Sequence, residues 1–196
     1  MTKVLAQSGS PLPGGNTEKL LTSFLRGAED AGGQVRRVAV VELEIEGWTP
    51  DVECPEVGSH EPTDDFDWVS QELVAADVIV VASPVYFRNV PAQLKALIDH
   101  SQCLWIRKNV DKKPLPPTSA GREGRRGVFL SVGGNDREDF LGAIHTIRSF
   151  FDVYETDYWG ELLFGGMDAR VDLNQEPLAL QEAYDLGFRA VTEGWE

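Results

Sequence analysis

The sequence predicts an α/β protein: a doubly wound, five-stranded parallel sheet with helices on both faces. Two observations carry this reading. Short apolar runs alternate with amphipathic stretches along most of the chain. In addition, Asp77-Val78-Ile79-Val80-Val81-Ala82 is almost wholly apolar, as a strand covered on both faces must be. The 196 residues, 42% apolar and 26% charged, suit one globular domain over residues 1–196 with a substantial core.

The elements follow in order. Val4–Gln7 forms a short first strand. Thr17–Ala31 carries Leu20, Leu21, Phe24, Leu25 and Ala28 at helical spacing, and Gly32-Gly33 ends it. Val35–Leu43 is the second strand, and the Gly-, Pro- and acid-rich stretch 47–62 is loop. Asp65–Ala76 is a helix capped by Asp64 or Asp65. The third strand follows, then a helix over Pro91–Ile106 with proline in its first turn. Lys108–Arg126 is a polar loop and Gly127–Val132 the fourth strand. Asp136–Phe151 is a helix, Tyr154–Phe164 carries the fifth strand, and Pro177–Thr192 closes the chain as a helix. Five strands thus alternate with five helices. Right-handed crossovers wind such a chain onto both faces of one sheet, and ligands then bind beyond the carboxyl ends of the strands.

Charge and cysteine content narrow the function classes. The net charge is −14, from 32 acids against 18 bases, which repels nucleic acid and anionic membrane; neither is expected as a partner. No stretch approaches a membrane span, and the first residues lack a signal-peptide layout. Two cysteines, Cys54 and Cys103, are too few for a disulfide framework or a cluster, which fits a reducing cytoplasm.

Three strand-end loops hold the candidate chemistry. The first, Ser8-Gly9-Ser10-Pro11-Leu12-Pro13-Gly14-Gly15-Asn16-Thr17, runs from a strand into a helix start and is dense in glycine and hydroxyls. Backbone amides and the helix dipole suit a phosphate there, with Ser10 and Thr17 as hydroxyl donors and Asn16 either capping the loop or donating its amide. It lacks both the Gly-Lys-Ser/Thr of a P-loop and the G-x-G-x-x-G of a dinucleotide site. On its own it reads equally as a plain strand-to-helix turn. The second, Ser83-Pro84-Val85-Tyr86-Phe87-Arg88-Asn89-Val90-Pro91, sets two aromatics at a strand end, suited to stacking on a flat ring or to packing under the next helix. The third, Ser131-Val132-Gly133-Gly134-Asn135-Asp136, lets backbone approach a ligand closely, or is an ordinary turn with Asp136 as cap.

Taken together, these loops resemble the NAD(P)H-dependent FMN reductase superfamily, and most closely its iron–sulfur flavoprotein branch. The matching residues are Gly9-Ser10-Pro11, Gly15-Asn16-Thr17, Ala76-Asp77, Ser83 to Phe87, the block Asn89-Val90-Pro91-Ala92-Gln93-Leu94-Lys95-Ala96-Leu97-Ile98-Asp99, and Gly133-Gly134. The similarity spans about residues 3–165. It implies a flavodoxin-like fold with strand order 2-1-3-4-5, FMN as cofactor and NADPH or NADH as co-substrate. It further implies electron transfer through FMN to a small-molecule acceptor, and a homodimer or homotetramer. Ser10, Asn16 and Thr17 would hold the phosphate, with Leu12 in the same loop. Pro84, Val85, Tyr86 and Phe87 would wrap the isoalloxazine beside Asn89, and Gly133 and Gly134 would line its far side. A flavodoxin-type electron carrier, or a non-enzymatic domain with a decayed flavin site, is the alternative.

Two departures stand out. Leu12 occupies a position where the family usually has arginine, which removes a cation from the phosphate site. The branch's compact cysteine motif after strand two is here Glu46 to Cys54, with one cysteine; a cluster takes about four thiolates, so none is expected. Trp48 either fills that space or sits in the core. No catalytic side chain is assigned, because the flavin carries the chemistry. No metal spacing and no acyl-transfer triad is present.

Residues 107–126 hold seven of the 18 basic residues: Arg107, Lys108, Lys112, Lys113, Arg122, Arg125 and Arg126. Arg122, Arg125 and Arg126 would favour NADPH through its 2′-phosphate if this loop faced the site; otherwise it is a solvated loop. His60, His100 and His145 are scattered, and only His145 could face the site.

Overall fold

The computed structural model describes residues 1–45, 47–49, 64–135, 140–167 and 171–195. Five strands, β1 (Lys3–Ser8), β2 (Gln34–Ala39), β3 (Val78–Pro84), β4 (Arg125–Val132) and β5 (Thr156–Phe164), form one sheet in the order β2-β1-β3-β4-β5. All neighbours pair in parallel, as expected for a flavodoxin-like sheet.

The central strand shows how the sequence sets the layers. Side chains alternate along a strand, so Val78, Val80 and Ala82 face one side while Ile79 and Val81 face the other. The first face is covered by α1 (Asn16–Asp30) and α6 (Pro177–Thr192), through Leu20, Leu21, Phe24, Ala183 and Leu186. The other is covered by α2 (Asp65–Ala75), α3 (Ala92–His100), α4 (Gln102–Asn109) and α5 (Leu141–Val153), through Val69, Leu73, Leu94, Leu97, Leu104, Ile147 and Phe150. Burial on both faces is why β3 reads as a nearly continuous apolar run. On the first face α1 and α6 approach so closely that a Cβ at Gly27 would strike the Tyr184 carbonyl, and one at Gly187 the Phe24 carbonyl.

Several expected boundaries shift for physical reasons. The second strand stops at Ala39 and turns into a 3-10 segment over Val40–Glu42. The helix expected over Pro91–Ile106 breaks at Ser101, whose hydroxyl donates to the Leu97 carbonyl (3.1 Å), giving α3 and α4, and so six α-helices among the described residues where five were expected. The fourth strand begins two residues early, at Arg125. Asp64 caps α2 as expected, its carboxylate accepting from the Phe66 N–H at 2.8 Å. Asp136, Cys54, His60 and most of the loop 47–62 lie outside the described residues.

Among the described residues no helix is long and apolar enough to cross a membrane. Cys103, on α4, is disulfide-bonded, so it offers no free thiol.

Candidate functional site

A parallel sheet gathers every strand's carboxyl end at one edge. Ser8 lies beside Ala82, Pro84 beside Val132, and Val132 beside Phe164. The three loops singled out in the sequence therefore meet there.

The first loop leaves β1 with the Gly9 N–H on the Ala82 carbonyl (2.7 Å). It turns through Gly14 at φ 70, where a side chain would be strained, and enters α1 at Gly15. No side chain caps α1, so the N–H groups of its first turn are not taken by a cap. Ser10 and Thr17 are buried beneath this turn. Ser10 Oγ accepts from the Leu12 N–H at 3.3 Å, while the Thr17 hydroxyl, 2% exposed as a residue, has no partner among the described residues. Uncapped amides with an unbonded hydroxyl at the helix start fit a phosphate. Leu12 itself points outward, 62% exposed.

Asn16 is placed differently from the expectation. Its Nδ2 donates to the Val171 carbonyl (2.8 Å) and its Oδ1 accepts from the Leu173 N–H (3.0 Å). The amide ties the segment after β5 to the start of α1. Lys19 adds a second tie to Asp172 at 2.6 Å, and that ion pair holds the Asp172 carboxyl below its ordinary range. Sequence reasoning missed Lys19, Asp172 and also Glu18. Glu18 is buried in the first turn of α1, hydrogen-bonded by the Ser8 hydroxyl and ion-paired with Arg37. No local pattern announces a contact between β1, β2 and α1; only the fold brings them together.

The second loop continues β3: the Val85 N–H donates to the Val132 carbonyl at 3.1 Å. Tyr86 and Asn89 exchange backbone hydrogen bonds of 2.7 and 2.9 Å around a tight turn. Its two central residues, Phe87 (φ 49) and Arg88 (φ 63), are both left-handed. Neither is glycine, so the turn stores strain of about 1–3 kcal/mol per residue. The arrangement leaves Tyr86 half exposed and Phe87 wholly exposed; neither packs under α3. The turn rests on α5, where a Cβ at Gly142 would collide with the Arg88 carbonyl. Asn89 Oδ1 accepts from the Val90 N–H (2.8 Å) and so locks the turn rather than pointing into the crevice.

The third loop is zipped to the end of β5. The Gly133 N–H donates to the Phe164 carbonyl and the Met167 N–H to the Gly133 carbonyl, both at 2.8 Å. Gly133 is buried, whereas Gly134 is exposed with open space where a side chain would be.

The basic loop lies elsewhere. Arg125 and Arg126 begin β4, at the opposite edge of the sheet from all three loops. Arg125 donates to the carbonyls of Val74, Pro116 and Tyr154, and Arg126 to those of Ala190, Glu193 and Gly194. Arg122 pairs with buried Asp77 at 2.9 Å. The expectation that these arginines meet a nicotinamide phosphate is thereby corrected: their donors serve the fold. His145 is exposed on α5, and Trp48 lies against Ala92, Lys95 and Ala96 of α3 rather than in the core.

With this geometry in hand, comparison with known proteins becomes informative. The model of the NADPH-dependent FMN reductase family matches residues 2–150. The chain belongs to that family. It is therefore an NAD(P)H-dependent flavin oxidoreductase that works with FMN. It is 35% identical over 152 residues to an iron-sulfur flavoprotein of Methanosarcina thermophila, covering 78% of this chain and 74% of that protein. It is 35% identical over 105 residues to an FMN-dependent NADH:quinone oxidoreductase of Ralstonia nicotianae, half of each chain. Among solved structures, an azoreductase from Bacillus anthracis superposes with a TM-score of 0.70 at 19% identity, over 96% of this chain and 100% of that one.

Proposed function

We propose that the chain acts as a single domain over residues 1–196 that passes electrons from NADPH or NADH, through FMN, to a small acceptor such as a quinone, a flavin or a nitro compound. Bound FMN supplies a two-electron relay that takes hydride from the nicotinamide. The protein's part is placement. Uncapped amides of α1, with Ser10 and Thr17 beneath them, anchor the phosphate end. Pro84, Val85, Tyr86 and Phe87 border the ring at the adjoining strand end, and the open backbone at Gly134 leaves its far side approachable. The observation that carries the reading is this pairing at one sheet edge: an uncapped helix start beside a strained turn that holds two aromatics outward.

The same edge exposes Leu12, Tyr86, Phe87 and Leu141. A second copy covering them would exclude water from the ring, so a homodimer or homotetramer working in the cytoplasm completes the proposal. A strictly monomeric 21.6 kDa species in light scattering would remove the oligomer.

The test of the function is spectroscopic. Purified protein given FMN should turn yellow, bleach on addition of NADPH or NADH, and regain colour with a quinone or nitro acceptor. A yellow protein that neither nicotinamide bleaches would be an electron carrier instead. A colourless protein that ignores FMN would end the reading. Iron and sulfide analysis should find no cluster, since the chain has only two cysteines.

A further inference from the structure

We propose that Lys19 is the cation that meets the FMN phosphate, and that it does so by exchanging Asp172 for the phosphate. The inference rests on the flavin reading above. A phosphate monoester carries about −1.5 to −2 charges near pH 7, yet residues 8–17 contain no lysine or arginine and the first turn of α1 adds Glu18. The helix dipole supplies only about half a positive charge. Any side-chain cation that meets the phosphate therefore comes from outside residues 8–17.

Two described cations are ion-paired at the start of α1, and their partners distinguish them. Arg37 holds Glu18, which is buried and also accepts from Ser8. Its departure would leave a carboxylate buried without its counter-charge, a heavy penalty. Lys19 holds Asp172, whose side chain is 46% exposed and keeps the Asn174 N–H at 2.9 Å. Breaking that pair costs little, because water and the backbone solvate the acid that remains.

Position favours Lys19 as well. It lies three residues after Asn16, hence on the same helix face, and side chains on a helix lean toward its N-terminus. Both residues already bind one segment, Asn16 through Val171 and Leu173 and Lys19 through Asp172. Asn16 has both ends of its amide engaged, so the mobile donor on this face is the Lys19 ammonium. Asp172 then sits as a competitor at the phosphate site, repelling the ligand until Lys19 moves across.

Fluorescence titration of the full chain with FMN and with riboflavin, which lacks the phosphate, tests this at low and high salt. Lys19→Met should raise the FMN Kd about tenfold, the size of one lost bond to a charged group, and leave riboflavin nearly unchanged. It should also flatten the salt dependence of FMN binding. Lys19→Arg should restore affinity, and Asp172→Asn should tighten FMN binding. Equal weakening of both ligands in Lys19→Met, or weakening of FMN in Asp172→Asn, would make the pair a structural tie and overturn the proposal. Wild-type protein that binds FMN while Lys19→Met matches it overturns this inference alone; wild-type protein that binds neither ligand overturns the flavin reading with it.

Discussion

At the start of β4, Arg125 is 1% exposed and its guanidinium is bonded to the carbonyls of Val74, Pro116 and Tyr154. At the finish of β1, one strand length away, α1 begins without a side-chain cap and Thr17, 2% exposed as a residue, keeps a hydroxyl with no partner among the described residues. Both ends of the sheet bring strong polar groups out of water. At one end the guanidiniums find protein partners, although the buried Trp195 Nε1 beside them has none among the described residues; at the other the first-turn amides of α1 are left uncapped. The guanidiniums of the starting edge are also sealed under an aromatic ring, Arg122 and Arg126 each 4.0 Å from that of Trp195, beside a cavity of about 680 Å³ that they line with Trp159, whereas the finishing edge turns Phe87 into solvent. A cluster of basic residues is thus no guide to a site until its donors are counted as taken or untaken.

The sharpest way to break this contrast is Arg125→Met. The thioether fills similar space but strips three carbonyls of their donor, and burial already disfavours the guanidinium charge. Loss of about 3–5 kcal/mol is expected, a fall of roughly 10 °C in Tm for a chain this size. The ratio of FMN to riboflavin affinity should stay as in the wild type. A stable variant with weakened FMN binding would mean that the two edges are not separate.

Tyr154 belongs to the same sealed end, and its titration gives a pH signature. Burial pushes its hydroxyl up to about 12, only partly offset by hydrogen bonding with Ser101 and Ser70. In the unfolded chain a tyrosine titrates near ~10. Between these values the unfolded state has released a proton that the folded state keeps, so stability is intact below about pH 10 and falls by about 2–3 kcal/mol toward pH 12. Denaturant unfolding across that window should show the decline, and Tyr154→Phe should lack it. An identical decline in both proteins would assign it to other groups.

How far the sequence foretold this contrast differs between its halves. The continuous apolar run over Val78–Ala82 and the helical spacing from Leu20 to Ala28 are enough to place β3 and α1, because burial on two faces of a strand or on one face of a helix leaves its trace in the sequence. The three loops were legible too, since glycines, hydroxyls and paired aromatics at strand ends have few structural uses. Asn16 and the arginines were not. Whether an amide or guanidinium bonds a ligand or a distant carbonyl depends on partners 155 residues away for Asn16 and Val171, and 51 for Arg125 and Val74, separations that leave no local pattern. Arg125 reads as loop because a charged residue breaks an apolar strand on paper, although its stem and saturated fork bury well.

At the open edge, Thr17→Ala should remove a hydroxyl donor to a charged group and weaken FMN by about 1.5–3 kcal/mol, with riboflavin much less affected. Because Thr17 has no hydroxyl partner among the described residues, the apoprotein's Tm should barely move. A variant that loses Tm instead would place Thr17 with the internally paired groups and blur the distinction between the edges.

The smallest effect is the most discriminating. Arg122→Gln removes a cation from the sealed end, where it pairs with Asp77; that carboxylate keeps the Lys3 N–H at 2.8 Å and the Thr118 hydroxyl. Stability should drop modestly, but the relative rates with NADPH and NADH should not change at any salt concentration. The reason is distance: an eight-residue β4, at about 3.3 Å per residue, separates the two edges by roughly 23 Å, while charges are screened beyond ~8 Å at ~0.15 M salt. Steady-state rates with both nicotinamides, at low and high salt, decide it. A preference for NADPH that disappears in Arg122→Gln and weakens with salt in the wild type would require this end of one copy to reach the open edge of another. The arginines would then be shared between fold and function, and the division drawn between the two ends would hold only within a single copy.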